Sequence, residues 1–258
     1  MADKILKREF MVKPSECNAQ QSLPLSLLVT QLIDLATDHA NQLGIGFLEL
    51  EPKGLGWVLS RLSVEMERWP GNGETYILST WVESYNAHFS ERCFSIVAGD
   101  NEVIGYARTI WMIIDLSTHQ SVGTGGTHLP EELIAGALCP IAKGVRHKPF
   151  VADKESEYTF KYTDLDFYRH VNTVRYISLL LNQFTLEEFD SNILSRFDIA
   201  FAHEAKYGET ALIRSIEEET QPPSMLKRKS DSKKRIMEIS VGETLILSSS
   251  ITLSKVTG

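Results

Sequence analysis

Apolar residues follow two different periods in the first half of the chain. Between Ser22 and Asn41 they recur at steps of three and four, which predicts a helix with one buried face. Pro24 suits the first turn of this helix, and Gly44 lies just beyond its end. The segments that follow are rich in Val, Ile, Thr, Tyr and Trp and are separated by turn residues, which predicts strands at about 57–69, 75–85, 89–98 and 103–116. A helix followed by consecutive strands is typical of an antiparallel sheet packed on a helix, an α+β arrangement.

The same order of elements returns in the second half. The pattern predicts a strand at 156–163 and a helix from about Val171 to Phe184, and then five strands near 195–204, 209–218, 225–229, 234–240 and 243–254. A Gly- and Pro-containing stretch separates the halves, with a short helix predicted from Pro130 to Ala137. We therefore expect three parts: an N-terminal domain over 1–118, a linker over 119–154 and a C-terminal domain over 155–258.

Alignment of the two halves supports an internal duplication. The sequence SRLSVEMERWPGNGET, from Ser60 to Thr75, aligns without a gap to SRFDIAFAHEAKYGET, from Ser195 to Thr210, at an offset of 135 positions. In this alignment Glu204 stands where the first half has Trp69. A carboxylate in place of a tryptophan at the end of an equivalent strand predicts that the chemistry resides in the second half.

Composition and charge narrow the class of protein. The chain has 258 residues, of which 43% are hydrophobic and 23% charged, as in ordinary globular proteins. A formal net charge of −8 argues against a general nucleic-acid binder. Cys17, Cys93 and Cys139 lie far apart, so we expect neither a disulfide framework nor a zinc site. No signal peptide or membrane span is evident, and we expect a cytoplasmic protein.

The second predicted helix is preceded by a turn that is rich in polar residues. Residues 163–176 read TDLDFYRHVNTVRY and bring Asp164, Asp166, His170 and Asn172 close to the start of the helix. The unpaired N–H groups at a helix start favour negative charge, stabilise an oxyanion and keep a nearby histidine neutral. The alternative is structural, with Asp164 or Asp166 as the helix cap and His170 as an ordinary first-turn side chain.

This turn, read as DLDFYRHVNTVRY, resembles the second-half motif of the acyl-acyl carrier protein (acyl-ACP) thioesterases, the plant and bacterial enzymes that terminate fatty acid synthesis. The similarity extends to REFMVKPSECNAQQSLPLSLLVTQLIDLATDHANQLGIG, GWVLSRLSVEMERWPGNGETYILSTWV and YARTIWMIIDLSTHQ in the first half. The resemblance implies a tandem double hot-dog fold, in which two antiparallel sheets each wrap around a long helix. It also implies that the first domain shapes the acyl pocket.

The resemblance further implies a thioester hydrolase, an acyl- or oleoyl-acyl carrier protein hydrolase that releases free fatty acids. Its partner would be acyl carrier protein with a phosphopantetheine-linked acyl chain, and a homodimer is compatible with it. Because the sequence has no nucleotide-binding loop, Rossmann fingerprint or metal-ligand spacing, we expect no further cofactor and no metal. Asp166, His170 and Glu204 then take the catalytic roles. Glu204 would activate a water, His170 would share the proton handling, and Asp166 would orient the group. The alternative for Glu204 is a rim carboxylate paired with Lys206.

Two positions depart from the family pattern. Tyr168 stands where the family has asparagine, so the phenol of Tyr168 or the amide of Asn172 would supply the supporting hydrogen bond. Ala205 follows Glu204 where some relatives have cysteine, which excludes a thiol nucleophile at that position.

The densest basic run of the sequence suggests a docking surface for an acidic carrier protein. It consists of Lys227, Arg228, Lys229, Lys233, Lys234 and Arg235. The alternative is a solvated hairpin tip with charged edges. Two other functions also fit the sequence, an acyl-CoA thioesterase and a non-catalytic module that binds acyl thioesters.

Overall fold

The structure is a computed structural model that describes residues 3–99, 101–124, 127–144, 147–221, 223 and 231–255. The chain forms two compact units. The first consists of Met1–Val64 and Trp69–Lys143, and the second of Glu65–Arg68 and Gly144–Gly258. Each unit combines antiparallel strand pairs with helices, so the predicted α+β class is confirmed.

The first unit contains β1 (Ile5–Met11), α1 (Leu25–Gln42), α2 (Phe47–Leu50), β2 (Leu55–Met66), β3 (Thr75–Tyr85), β4 (Ser90–Ala98) and β5 (Val103–Asp115), although the last two residues of β2 group with the second unit. The strand order is β1-β3-β4-β5-β2. All four strands that the pattern predicts are present. The pattern did not predict β1, because its burial is low along its length and gives no clear apolar alternation.

Helix α1 buries the face that its sequence period predicts. Its buried residues are Leu25, Leu28, Val29, Leu32, Leu35, Ala36, His39 and Ala40. The helix ends in a Schellman motif, since Gly44 N donates to Asn41 O at 3.1 Å and Ile45 N to Ala40 O at 3.0 Å. Gly44 has a φ of 71°, a backbone conformation that glycine adopts without strain, so this residue ends the helix.

The second unit contains β6 (Lys154–Thr159), α3 (Thr173–Leu181), α4 (Leu186–Ser191), β7 (Asn192–Phe201), β8 (Thr210–Thr220), β9 (Ser232–Val241) and β10 (Thr244–Lys255). The strand order is β7-β10-β9-β8-β6. The strand predicted at 225–229 falls within 224–230, outside the described residues. Among the described residues, none of the helices combines the length with the apolar character that a membrane crossing requires.

Two predicted helices differ from those observed. The helix expected from Val171 to Phe184 is shorter, because Thr185 starts α4 with a capping box in which Thr185 N donates to Glu188 Oε2 at 2.8 Å. The helix expected from Pro130 to Ala137 is a single 3-10 turn, Glu131–Leu133. Gly136 has a φ of 70°, which is incompatible with a continuing helix. The limits of the linker, 119–154, stay a prediction.

The strand ends agree with the duplication. β2 ends at Met66 and β7 at Phe201, and β3 begins at Thr75 and β8 at Thr210. Both pairs are separated by the 135 positions of the sequence alignment. The repeat is therefore present in the secondary structure as well as in the sequence.

Candidate active site

The turn before α3 is organised by the carboxylate of Asp166. Asp166 Oδ1 accepts hydrogen bonds from the backbone amides of Tyr168 at 2.9 Å and His170 at 3.1 Å. The backbone of Asp166 closes the same turn, since its N–H donates to His170 O at 2.8 Å. Arg169 has a φ of 66°, so the turn includes one left-handed residue. Asp166 therefore fixes the backbone from which the His170 side chain projects.

Helix α3 is capped by Asn172, whose Oδ1 accepts from Val174 N at 2.9 Å. Asp164 is buried and stabilises the preceding 3-10 turn, where its Oδ2 accepts from Lys161 N at 2.7 Å and from the Tyr158 hydroxyl at 3.0 Å. The cap of α3 is thus neither of the two aspartates that the structural alternative proposed. The side chain of Asn172 is engaged in this capping bond.

The segment after β7 lies against the turn. Val171 N donates to Ala205 O at 2.9 Å, and His170 forms an isolated β-bridge with Lys206. A third contact comes from α3, where the Tyr176 hydroxyl accepts the amide hydrogen of Ala205 at 3.1 Å. Residues 204–206 are thus held at several points by the turn and the helix.

These contacts bring Glu204 and His170 together. Glu204 Oε2 lies 3.4 Å from His170 Nε2, within the range of an ion pair or hydrogen bond. The His170 side chain is 16% exposed and that of Glu204 is 42% exposed. A carboxylate oxygen and an imidazole nitrogen therefore face each other where solvent reaches the carboxylate, as a general base acting through water requires.

Exposed aromatic residues occur in the turn and in the chain segments next to it. Tyr168 is 41% exposed, and the centroid of its ring lies 4.0 Å from that of Phe167. Tyr162 and Tyr207 are also exposed. Of these four aromatic residues only Tyr168 is predicted from the sequence, because exposed aromatic residues in loops follow no period that a pattern can detect.

The predicted docking run is divided by the structure. Lys227, Arg228 and Lys229 lie outside the described residues. Arg235 is 4% exposed, its Nη2 bonds Glu188 Oε1 at 2.7 Å and Glu217 Oε2 at 2.9 Å, and its guanidinium lies 4.1 Å from the centroid of the Phe184 ring. This guanidinium is part of an internal ion-pair network and offers no exposed charge to a partner.

Lys233 and Lys234 are the two described members of the run besides Arg235. Lys233 is exposed and its Nζ bonds Glu217 Oε1 at 2.8 Å. Lys234 is partly buried. Their role in docking stays a prediction.

The first unit contains a copy of the same turn. Asn18 Oδ1 accepts from Gln20 N at 3.1 Å and from Ser22 N at 3.0 Å, and Asn18 N donates to Ser22 O at 2.9 Å. Gln21, with a φ of 57°, takes the left-handed position of Arg169. These residues correspond to those of the 166–170 turn at an offset of 148 positions.

The contacts between the turn and the strand-end segment are repeated too. In the first unit Leu23 N donates to Pro70 O at 2.9 Å, and Ser22 forms a β-bridge with Gly71. Pro70 and Gly71 correspond to Ala205 and Lys206 at the offset of 135 positions.

The two copies differ in their reactive groups. The first unit has Ser22 where the second has His170, and Trp69 where the second has Glu204. The hydrogen-bonded turn and its contacts with the strand-end segment are therefore common to both units. The imidazole and the carboxylate occupy these positions only in the second unit. The two turns have no identical residue at corresponding positions, so the sequence alone does not reveal that they are copies.

Comparison with known protein families gives two matches that follow one another along the chain. Residues 3–125 match the model of the acyl-ACP thioesterase N-terminal domain, and residues 147–244 match that of the acyl-ACP thioesterase C-terminal domain. Together these two matches cover most of the chain.

Curated relatives include two chloroplast proteins of plants. A palmitoyl-acyl carrier protein thioesterase of Gossypium hirsutum is 25% identical over 232 residues, which cover 82% of this chain and 54% of the relative. A dodecanoyl-[acyl-carrier-protein] hydrolase of Cinnamomum camphora is 23% identical over 220 residues, which cover 78% of this chain and 56% of the relative. The chain thus spans about half the length of these relatives.

Solved structures show the same fold. The acyl-ACP thioesterase of Bacteroides thetaiotaomicron has a TM-score of 0.85 and 28% identity, with 97% of this chain and 98% of that chain covered. The 12:0-ACP thioesterase of Umbellularia californica has a TM-score of 0.80 and 17% identity, with 99% and 96% covered. The predicted double hot-dog fold is confirmed by these likenesses.

Proposed function

The chain belongs to the acyl-ACP thioesterase family, and we propose that it hydrolyses the thioester bond of an acyl-acyl carrier protein, releasing a free fatty acid and the carrier thiol. The observation that carries the proposal is the 3.4 Å approach of Glu204 to His170. His170 lies on the turn before α3 and Glu204 on the segment after β7, and the corresponding positions of the first unit hold Ser22 and Trp69.

In the proposed reaction Glu204 acts as the general base. Its carboxylate takes a proton from a water molecule, and the water oxygen attacks the carbonyl carbon of the thioester. The tetrahedral intermediate then collapses, the C–S bond breaks, and the thiolate leaves and receives a proton. His170, next to Glu204, shares the proton transfer. A thiolate is a good leaving group, so little acid assistance is needed.

The oxyanion of the intermediate requires hydrogen-bond donors. Most backbone amides of the turn already donate to acceptors within the protein. They are those of Asp166, Tyr168, Arg169, His170, Val171, Asn172 and Val174. Thr173 is the first residue of α3, and no acceptor for its amide is found in the part of the chain that the structure describes. We assign this amide to the oxyanion.

The proposed role of Asp166 is to hold the turn through its oxygen atom, and this role leads to a prediction. Asp166→Asn keeps the acceptor, as Asn18 does in the first unit, so kcat/KM should stay within about threefold of wild type. Asp166→Ala leaves the amides of Tyr168 and His170 without this acceptor, and kcat/KM should fall about tenfold or more. Steady-state kinetics of both variants measure the difference.

The matched control is Asn18→Ala, which removes the same acceptor from the turn of the first unit. It should lower the free energy of unfolding by about 1–2 kcal/mol and leave kcat unchanged. If Asp166→Asn is as inactive as Asp166→Ala, the negative charge of Asp166 is required and the acceptor role is wrong.

The function is tested by thiol release from a series of acyl-ACP substrates. Palmitoyl-, dodecanoyl- and oleoyl-acyl carrier proteins occur in the names of the relatives, which defines the range of chains. We expect hydrolysis of at least one of them, with a higher kcat/KM than for the CoA thioester of the same chain. A preference for the CoA thioester favours an acyl-CoA thioesterase. Tight acyl binding without thiol release favours a binding module, and either result contradicts the proposal.

A further inference from the structure

We propose that Tyr176 is a positioning residue for Glu204: its hydroxyl accepts the amide hydrogen of Ala205 and so fixes the backbone from which the Glu204 carboxylate meets His170. The inference rests on the proposed function, since it assigns a role within that same site. Tyr176 is not proposed to touch the substrate.

The geometry of Tyr176 is that of a fixed support. Its side chain is buried, and its ring makes edge-on or tilted contacts with Phe160 at 5.7 Å and Phe201 at 6.1 Å between centroids. The hydroxyl oxygen lies 3.1 Å from the nitrogen of Ala205, which is fully buried. Burial raises the pKa of Tyr176, so the phenol stays neutral at physiological pH.

The corresponding positions of the first unit, which has no carboxylate there, hold different residues. Leu28 corresponds to Tyr176, because each stands four residues after the N-cap of its helix, Pro24 in α1 and Asn172 in α3. Pro70 corresponds to Ala205 at the offset of 135 positions.

The two differences are linked by hydrogen bonding. Pro70 has no amide hydrogen and so needs no acceptor, and the corresponding helix residue of the first unit, the buried Leu28, offers none. Ala205 does have an amide hydrogen, and burying this N–H group without an acceptor would destabilise the folded protein. Tyrosine in place of leucine supplies that acceptor.

The change from Pro70 to Ala205 lies directly after the position at which the first unit has Trp69 and the second has Glu204. Proline restricts the backbone of the residue before it, which is Trp69 in the first unit and would be Glu204 in the second. With alanine at 205, the Tyr176 hydroxyl rather than a proline ring sets this backbone. The second unit thus combines a carboxylate at 204 with a buried hydrogen bond that holds the next residue in place.

The first test is Tyr176→Phe, which removes the hydroxyl and keeps the ring. We expect kcat for acyl-ACP to fall about tenfold or more because the carboxylate loses its fixed position, while KM changes by less than about twofold. Thermal unfolding must show that the variant is folded at the assay temperature. Tyr158→Phe is the matched control, because it deletes a hydroxyl that bonds Asp164 in the same unit, and its kcat should be unchanged.

The second test is a double-mutant cycle with Ala205→Pro, which deletes the amide hydrogen and copies Pro70. If Tyr176 acts through that hydrogen, Tyr176→Phe should change kcat less than about twofold in the Ala205→Pro background. An equal loss in both backgrounds overturns the inference. If Ala205→Pro does not fold, the single variant decides: an unchanged kcat, or a loss in KM alone, overturns it.

Failure of the inference is separable from failure of the proposed function. A wild-type protein that releases no thiol from any acyl-ACP contradicts the function itself. Wild-type hydrolysis together with a fully active Tyr176→Phe variant contradicts only the positioning role.

Discussion

Glu204→Gln and His170→Ala are each expected to reduce kcat for hydrolysis of acyl-ACP by about 10²- to 10⁴-fold. Glutamine keeps the size of Glu204 but cannot take a proton from water. Alanine at 170 removes the imidazole that lies 3.4 Å from that carboxylate. Because the two groups act on one proton transfer, the double variant should be little worse than the single variants. Thiol release under single-turnover conditions measures the chemical step.

The chain offers matched controls for both substitutions. His203 precedes Glu204 directly, but its Nδ1 lies 2.8 Å from Leu245 O, so His203→Gln should keep kcat near the wild-type value. Glu187 is exposed in the first turn of α4, and Glu187→Gln should do the same. Hydrolysis at the wild-type rate by both Glu204→Gln and His170→Ala would show that the catalytic groups lie elsewhere.

The largest expected effect on stability comes from Glu83→Ala in the first unit. The side chains of Glu83 and Arg108 are 7% and 8% exposed and form a two-pronged ion pair, with Arg108 Nη2 at 3.3 Å from Glu83 Oε1. Glu83 Oε1 also accepts from Cys139 N at 2.7 Å. Alanine leaves a buried guanidinium without this carboxylate, so the free energy of unfolding should fall by about 3–5 kcal/mol.

Urea unfolding of Glu83→Ala measures this loss, and Arg8→Ala is its control. Arg8 pairs with Asp38 at 2.7 Å, but these side chains are 42% and 45% exposed. Breaking an exposed pair should cost less than about 1 kcal/mol. Equal losses in the two variants would mean that burial does not govern the strength of the Glu83–Arg108 pair.

The polar turn before α3 shows how far sequence reasoning reaches. The sequence identified Asp166, His170 and Glu204 as a set, partly through resemblance, and the structure brings His170 within 3.4 Å of Glu204. The sequence did not distinguish a helix cap from a turn-forming carboxylate. Asp166 and Asn172 both precede the helix, and the first turn of α3 alone determines that Asn172 is the cap.

The sequence does not predict the hydrogen bond between the Ala205 amide and the Tyr176 hydroxyl. A tyrosine at a buried helical position fits the apolar period as well as leucine does. Its hydroxyl becomes informative only when Ala205, 29 positions away, is seen to donate to it. The paired change from Leu28 and Pro70 to Tyr176 and Ala205 is present in the sequence. It becomes visible only when the helices are aligned at an offset of 148 positions, which the two turns provide.

The α+β class, the duplication and most of the strands could be read from the chain alone, because burial on one face imposes a local period on the residues. It also located the polar turn, since polar residues before an apolar helix are a local signal. Which groups meet in the folded protein could not be predicted in this way. The approach of Glu204 to His170, the burial of Arg235 and the bond from Ala205 to Tyr176 join residues that are distant in the chain, and no local period encodes such contacts.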